Sequence, residues 1–244
     1  MNKSFEKLVA YGSTRELHQK IRNGVGSNFL KELDIHIQKN WADLKCDDVS
    51  QIYWDFWNTL KPFKGNSNGF TGLSEYLIMR ILLHKLGDWQ VVEHSKDTRY
   101  FHSKVFRHLY VVPEYPFKKG FNKKKNRPEY VKPDIVICQS PTSPFKGIKR
   151  LLGIIEVKVY LTSGRKTVAA VFDKLAAIRK KHKELKALLL IFDEISNKPS
   201  SLAELKKKSC NDSSKWFSYC SLKETKISLS EVLEETLALP HEPD

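Results

Sequence analysis

The sequence is poor in the features that mark membrane, secreted and zinc-binding proteins. No apolar run approaches the roughly 20 residues of a membrane-spanning helix, and the first residues, MNKSFEKLVAYGS, lack the longer apolar segment of a secretory signal. The four cysteines form no C-x-x-C pair, and the eight histidines form no H-x-H or H-E-x-x-H pattern. We therefore expect reduced thiols, a cytoplasmic location, and neither a zinc ion nor a membrane partner.

Positive charge is in excess and is unevenly distributed. The chain has 42 Lys and Arg against 28 Asp and Glu, a formal net charge of +14. Residues 1–60 carry 8 basic and 8 acidic side chains, whereas residues 61–130 carry 14 and 6, and residues 131–244 carry 20 and 14. Such a field attracts polyanions, of which nucleic acid is the commonest. Simple solubility is the alternative interpretation of the same charge.

The hydrophobic pattern predicts one large domain or a core domain with a smaller appendage. The chain has 244 residues, of which 41% are hydrophobic. Residues 1–62 predict a helical N-terminal segment and residues 63–244 predict the core. In the core a strong helix at 73–86 precedes several strands, and an amphipathic helix at 167–185 follows an apolar strand at 151–160. This order predicts an α/β fold with a mixed central sheet flanked by helices.

One apolar segment, LLGIIEVKVYL at 151–161, contains two charges that a buried strand does not ordinarily carry. Glu156 and Lys158 are two residues apart, so their side chains point to the same side of a strand. Burying either charge without a partner would cost several kcal/mol. The pair is either solvent-facing on a half-exposed strand, or part of a functional site.

A third charged residue lies at the start of the preceding strand. PDIVIC at 133–138 begins with Pro133 and Asp134, and 21 residues separate Asp134 from Glu156. If the two strands form an antiparallel hairpin, Asp134 approaches Glu156 and Lys158. Two carboxylates and a lysine at one point suit Mg²⁺ and a substrate phosphate. The cation would polarise the phosphate and acidify a bound water, and the lysine would orient that water or stabilise developing charge.

Pro133, Asp134, Glu156, Val157 and Lys158 together resemble the signature of the PD-(D/E)xK phosphodiesterases, the restriction-endonuclease-like nucleases. The resemblance implies a restriction-endonuclease-like core, which the order of elements from about residue 73 to 222 matches. It also implies that Asp134, Glu156 and the main-chain carbonyl of Val157 hold Mg²⁺, for which Mn²⁺ can substitute. Lys158 would be the catalytic lysine.

Within that family, a compact chain with a helical N-terminal segment and no ATPase motif most resembles a type II restriction endonuclease. This implies a homodimer that cuts double-stranded DNA at a specific site, with residues 1–62 serving dimerisation or DNA recognition. A structure-directed, mobile-element or repair nuclease of the same superfamily is the alternative. A noncatalytic nucleic-acid-binding protein on this fold, and a basic scaffold whose E-x-K is a surface pair, are rivals from other classes.

Glu75 is a candidate third carboxylate of the metal site. Ile78, Met79 and Leu82 flank it at helical spacing, and a carboxylate in an apolar stripe needs a partner. The family resemblance implies the same role, because its members often supply one metal-site Glu from the helix before the sheet. The alternative is a first-turn Glu that points to water and interacts with the helix dipole.

Basic side chains crowd the segment before Asp134 and the start of the helix after Lys158. They are predicted to contact DNA phosphates, and the alternative is a solvated loop. In the loop at 117–132 they are Lys118, Lys119, Lys123, Lys124, Lys125, Arg127 and Lys132. Arg165 and Lys166 precede the helix at Thr167, whose amide donors could hold a phosphate. The RKKHK run at 179–183 is interpreted as complementing the dipole of that helix.

Overall fold

A mixed seven-stranded sheet with helices on both faces forms the described part of the chain. The structure is a computed structural model that describes residues 25–60, 68–95, 98–122, 126–161, 164–210 and 215–240. The predicted α/β class with a mixed central sheet flanked by helices is confirmed. Among the helices of these ranges, none combines the length and the apolar character needed to cross a membrane. The four cysteines are unpaired.

The helices among the described residues are α1 (Val25–Asn40), α2 (Cys46–Leu60), α3 (Asn68–Lys85), α4 (Arg165–Arg179), α5 (Pro199–Cys210) and α6 (Leu229–Thr236). The strands are β1 (Trp89–Ser95), β2 (Thr98–Ser103), β3 (Leu109–Pro113), β4 (Phe117–Asn122), β5 (Arg127–Val131), β6 (Ile135–Gln139), β7 (Arg150–Lys158), β8 (Ala187–Ile191) and β9 (Phe217–Ser221). In the described ranges, short 3₁₀ helices lie at Pro144–Lys146 and Leu222–Glu224.

The sheet has the strand order β1-β2-β3-β6-β7-β8-β9. Neighbouring strands from β1 to β7 are antiparallel, whereas β7, β8 and β9 are parallel. Parallel neighbours need a crossover connection, which α4 provides between β7 and β8 and α5 provides between β8 and β9. Because α4 begins after β7 ends, its N-terminus lies towards the same edge of the sheet as Lys158.

Helix α3 begins at Asn68, five residues earlier than the predicted start at residue 73. Residues 61–67, which precede it, lie outside the described ranges. The helix stops before Gly87, whose φ of 91° is a left-handed conformation that glycine adopts without steric cost.

The basic segment at 117–132 forms a β-hairpin, so its prediction as a loop is wrong. Strands β4 and β5 pair antiparallel outside the main sheet. Phe117 pairs with Val131 at the base of the hairpin and is buried in the apolar layer beneath α4. The run of lysines concealed these strands, because lysine is depleted in strands and gives no apolar alternation. Residues 123–125, between the two strands in the sequence, lie outside the described residues.

Two apolar clusters cover the two faces of the sheet. Helices α1, α2, α3 and α6 pack on one face, and α4, α5 and the base of the hairpin pack on the other. Tyr53 of α2 is fully buried, with its ring centroid 4.9 Å from that of Phe192, which follows β8. Trp54 and Trp57 of the same helix pack against this core. The boundary between residues 62 and 63 stays a prediction, although α1 and α2 share one cluster with the sheet.

Candidate active site

The hairpin formed by β6 and β7 brings Asp134 beside the charged end of β7. Ile135 is paired with Ile155, so the start of β6 faces the end of β7. The Asp134 carboxylate accepts a hydrogen bond from the Val157 amide at 2.7 Å between Oδ2 and N. The antiparallel pairing on which the approach of Asp134 depended is thus observed, and it fixes Asp134 against the backbone of the strand that carries Glu156 and Lys158.

Lys158 joins the two carboxylates. Its Nζ lies 3.3 Å from Asp134 Oδ2 and 3.4 Å from Glu156 Oε2, and it donates to the Val157 carbonyl at 2.9 Å. Burial acts to lower the pKa of Lys158, but the two carboxylates outweigh burial and the pKa is raised. The ammonium therefore stays charged at neutral pH, with its donors directed at the oxygens expected to hold a cation.

Glu156 is completely buried, so the interpretation of the E-x-K as a solvent-facing pair is wrong. Residues 151–157 of β7 are all buried. Burial, followed by repulsion from Asp134, raises the pKa of Glu156, and attraction to Lys158 and Lys174 partly offsets the rise. The ion pair between Lys174 Nζ and Glu156 Oε1 is 2.5 Å long. The charge in the core strand is tolerated because two ammonium groups surround it.

Lys174 is a site residue that the sequence analysis missed. It lies on α4, and its side chain is 23% exposed. It follows Val171 by three residues and precedes Leu175, and both of these face the core. One pattern in the sequence could have indicated Lys174. It is a lysine at the edge of an apolar stripe, on the helix that follows the strand with the E-x-K motif.

Glu75 faces the same site from α3. Because the helix begins at Asn68, Glu75 is beyond the first turn and the helix-dipole interpretation is wrong. Burial, followed by repulsion from Asp134, raises the pKa of Glu75 to about 7, while Lys158 opposes the rise. Glu75 is thus electrostatically coupled to Asp134, Glu156 and Lys158, as a third carboxylate of one site would be.

Glu114 is a second residue that the sequence did not indicate. It follows β3, and its amide donates to the Asp134 carbonyl at 3.1 Å. Its φ of 48° lies in the left-handed region, which costs free energy for a residue with a Cβ. Its charge contributes to the raised pKa of Glu75. No pattern in the sequence around Glu114 predicts this conformation.

The oxygen-rich donor set suits a hard cation such as Mg²⁺, although the side chains are paired with each other. In the described ranges, no three His, Cys, Asp or Glu side chains converge closely enough to hold a metal ion. Asp134 is bonded to the Val157 amide, and Glu156 is paired with Lys174. Burial, followed by repulsion from Asp134, nevertheless raises the pKa of both Glu75 and Glu156. A divalent cation relieves this kind of repulsion between carboxylates.

The predicted phosphate-contacting residues that the structure describes lie on the hairpin and at the start of α4. Lys118, Lys119, Arg127 and Lys132 are exposed, and Lys132 is two residues from Asp134. Lys123, Lys124 and Lys125 lie outside the described residues. Arg165 is 72% exposed and forms a 3.3 Å ion pair with Glu204, and Lys166 is exposed beside it. DNA contact by these residues stays a prediction.

Comparison of the chain with protein-family models, with curated proteins and with solved structures found no significant match. The resemblance to the PD-(D/E)xK nucleases therefore rests on the motif residues, their geometry and the order of elements.

Proposed function

We propose that the chain is a Mg²⁺-dependent nuclease of the PD-(D/E)xK kind, with a restriction-endonuclease-like core, that hydrolyses phosphodiester bonds in DNA. The observation that carries the proposal is the convergence of Asp134, the buried Glu156 and Lys158 at the end of an antiparallel hairpin. A buried carboxylate, a second carboxylate and a lysine are what metal-assisted hydrolysis needs at one point. The net charge of +14 supports a polyanionic substrate.

In this proposal the residues have separate roles. Asp134 and Glu156 would hold Mg²⁺, together with the Val157 carbonyl and with Glu75 from α3. The bound cation would supply charge for the scissile phosphate and acidify the attacking water. The Lys158 ammonium, 2.9 Å from the Val157 carbonyl, would orient that water and stabilise charge on the phosphate oxygens. Exposed lysines of the β4–β5 hairpin would hold neighbouring phosphates.

Site-specific cutting by a homodimer of the type II restriction kind is the form of this activity that the motif resemblance favours. A structure-directed, mobile-element or repair nuclease would use the same residues with another source of specificity. A noncatalytic nucleic-acid-binding protein is a candidate from a different class. It is favoured by one observation, namely that Lys158 and Lys174 already compensate Glu156 without any cation.

Digestion of supercoiled plasmid DNA with Mg²⁺, and with EDTA as the negative condition, tests the proposal. Discrete fragments indicate a restriction-type enzyme, and a smear indicates a nonspecific nuclease. The Lys158→Ala protein should not cut, whereas Lys149→Ala, which removes an exposed lysine outside the site, should cut normally. Binding without any cutting by the wild-type protein would favour the noncatalytic candidate.

A further inference from the structure

A cleft of about 260 Å³ lies between the β4–β5 hairpin and the C-terminal end of α4. It is lined by cationic and apolar side chains, and none of the described lining residues is acidic. The lining residues that matter here are Phe117, Lys118, Lys119, Ile178, Lys181 and His182. The cleft is separate from the pairing of Asp134, Glu156 and Lys158, and the roles proposed for those residues do not use it.

The two hairpin lysines reach the cleft through an irregularity in β4. Consecutive side chains of a regular strand point to opposite faces, yet both Lys118 and Lys119 line the cleft. The register of the hairpin shifts between Lys118 and Gly120, which leaves Lys119 without an opposed residue on β5. Bulges of this kind redirect side chains and are frequent beside active sites. The local geometry therefore concentrates positive charge at one rim.

The side of the cleft formed by α4 and the residues after it adds a further cation, and the bottom of the cleft is apolar and aromatic. Lys181, just beyond α4, donates to the Lys118 carbonyl at 3.0 Å, so it is held across the cleft from the hairpin. Phe117 and Ile178 line the cleft with apolar atoms, and most of each side chain is packed in the core. His182 meets the Phe117 ring edge-on, with centroids 5.7 Å apart. Burial, followed by repulsion from Lys181, lowers the pKa of His182, so its neutral ring offers both a donor and an acceptor.

We propose that this cleft binds one unstacked nucleobase of a DNA strand, with the adjoining phosphates on Lys118, Lys119 and Lys181. The volume is below the roughly 300–1,000 Å³ of pockets for drug-sized ligands, so it suits a single ring system. An apolar and aromatic floor suits the flat face of a base, and such contacts tolerate any base. Lysine side chains provide the phosphate contacts.

The chain connects the cleft directly to the candidate active site. Val131 lines the cleft, and Lys132 and Pro133 follow it to Asp134. On α4, Ile178 is one turn beyond Lys174, a separation of about 6 Å along the helix axis. This corresponds to about two nucleotides at the 3.4 Å spacing of a stacked strand. The inference rests on the proposed nuclease function and deepens it: an unstacked nucleotide of the substrate would lie close to the scissile phosphate.

Binding of three DNA duplexes in EDTA tests this inference without any hydrolysis. One duplex has a single unpaired thymidine, the second has an abasic residue at that position, and the third is fully paired. The wild-type protein should bind the first about tenfold more tightly than the second, because only the first supplies a base for stacking. Equal affinity for these two duplexes would overturn the inference, and this comparison requires no substitution.

Substitutions then test whether the preference for the unpaired base arises at this cleft. Ala177→Trp fills the cleft and should abolish the preference for the base over the abasic residue; a preserved preference would overturn the inference. The double variant Lys118→Gln/Lys119→Gln should weaken binding of all three duplexes. The double variant Lys206→Gln/Lys207→Gln removes the same charge from exposed positions of α5 and should weaken binding less. Equal weakening by the two double variants would count against phosphate contacts at the cleft.

Two further measurements distinguish base binding in the cleft from the binding of a free nucleotide and from the proposed nuclease function. Thymidine monophosphate should bind more weakly than the bulged duplex; binding as tight would assign the cleft to a free nucleotide and overturn the proposal. Cleavage in Mg²⁺ is scored separately. If the protein cuts DNA but binds the base-containing and abasic duplexes equally, base binding in the cleft is refuted and the nuclease function is not. If it prefers the duplex with the base but never cuts DNA, base binding is supported and the nuclease function is refuted.

Discussion

Lys174 Nζ lies 2.5 Å from Glu156 Oε1, so the carboxylate expected to hold a cation is already paired with an ammonium from α4. The carboxylate is 1% exposed and Lys174 is 23% exposed. A cation that enters the site would have to compete with this ammonium. The pair therefore explains how Glu156 remains folded into the core strand without a metal ion, and it predicts how its removal changes cation binding.

Lys174→Met should destabilise the metal-free protein and make it more responsive to Mg²⁺. The free energy of unfolding in EDTA should fall by about 2 kcal/mol, less than the full cost of stranding a buried charge, because Lys158 remains 3.4 Å from Glu156. Added Mg²⁺ should recover more stability in the variant than in the wild type, since one competing ammonium is gone. Urea denaturation in EDTA and in Mg²⁺ measures both effects.

Lys180→Met is the matched control, because Lys180 is exposed at the end of the same helix. It should leave stability and the Mg²⁺ response unchanged. Equal stabilisation of the Lys174→Met and wild-type proteins by Mg²⁺ would contradict competition at Glu156 and assign Lys174 a purely structural role.

Asp134→Ala, Glu156→Ala and Lys158→Ala should each reduce DNA cleavage by at least about 100-fold. The two carboxylate variants lose cation ligands, whereas Lys158→Ala keeps the oxygen ligands and loses the group that orients the water. Calorimetric titration with Ca²⁺ should therefore detect cation binding in Lys158→Ala but weakened binding in Glu156→Ala. Initial cleavage rates measure the loss of activity. Full activity in the Lys158→Ala or the Glu156→Ala protein would refute the assignment of these residues to the active site.

Glu75→Gln should change how stability depends on pH in EDTA. Glu75 has a pKa of about 7 in the folded protein against an ordinary value of 4.5, so the folded state binds the proton more tightly than the unfolded state. This contribution is present below about 4.5 and is lost as the pH rises through about 7. The Gln variant lacks this contribution, so its stability relative to the wild type should increase as the pH rises from about 4.5 to about 7.

Urea denaturation between about pH 4.5 and about pH 7 gives the difference in the free energy of unfolding between the variant and the wild type. The other carboxyl groups titrate in both proteins, so their contributions cancel in this difference. A constant difference across the window would show that Glu75 is solvated. In cleavage assays the same variant should lose less activity than Glu156→Ala, and Mn²⁺ should restore part of it. An unchanged dependence of cleavage on Mg²⁺ concentration would return Glu75 to a structural role.

The central part of the candidate site could be predicted from sequence because it depends on strand geometry alone. Glu156 and Lys158 are two residues apart on a strand, which places them on one side whatever the rest of the fold does. Asp134 opens an apolar strand that precedes theirs with a turn-rich connection between, so hairpin pairing follows from short-range rules. These carboxylates are observed at 3.3 and 3.4 Å from Lys158 Nζ.

The remaining site residues depend on tertiary geometry that the sequence does not display. The contact of Lys174 with Glu156 is set by how α4 rotates as it crosses the sheet, and its apolar stripe fixes that rotation only approximately. Glu114 acquires its position from a left-handed conformation. The hairpin at 117–132 was missed because its apolar anchors, Phe117 and Val131, stand at its two ends and lysines occupy much of what lies between.

The hairpin lysines should contribute to DNA binding through salt-dependent, sequence-independent contacts. Removing one lysine that neutralises a phosphate should flatten the dependence of log K on log salt by about 0.9. Lys118→Ala/Lys119→Ala should therefore flatten the slope by up to about 2 and weaken binding at low salt. Sequence preference should persist, because phosphate contacts position the protein and base contacts specify the site. Binding is measured in Ca²⁺, which binds to oxygen ligands.

Lys206→Ala/Lys207→Ala removes the same charge from exposed positions on α5 and serves as the control. If general electrostatic attraction alone binds DNA, the two double variants should change the slope equally, which would show that the hairpin is not on the DNA track. If the hairpin lies against the backbone, only the hairpin variant should flatten the slope, because counterions are released from phosphates that the protein neutralises directly. A loss of sequence preference with an unchanged slope would instead make these lysines base-contacting residues.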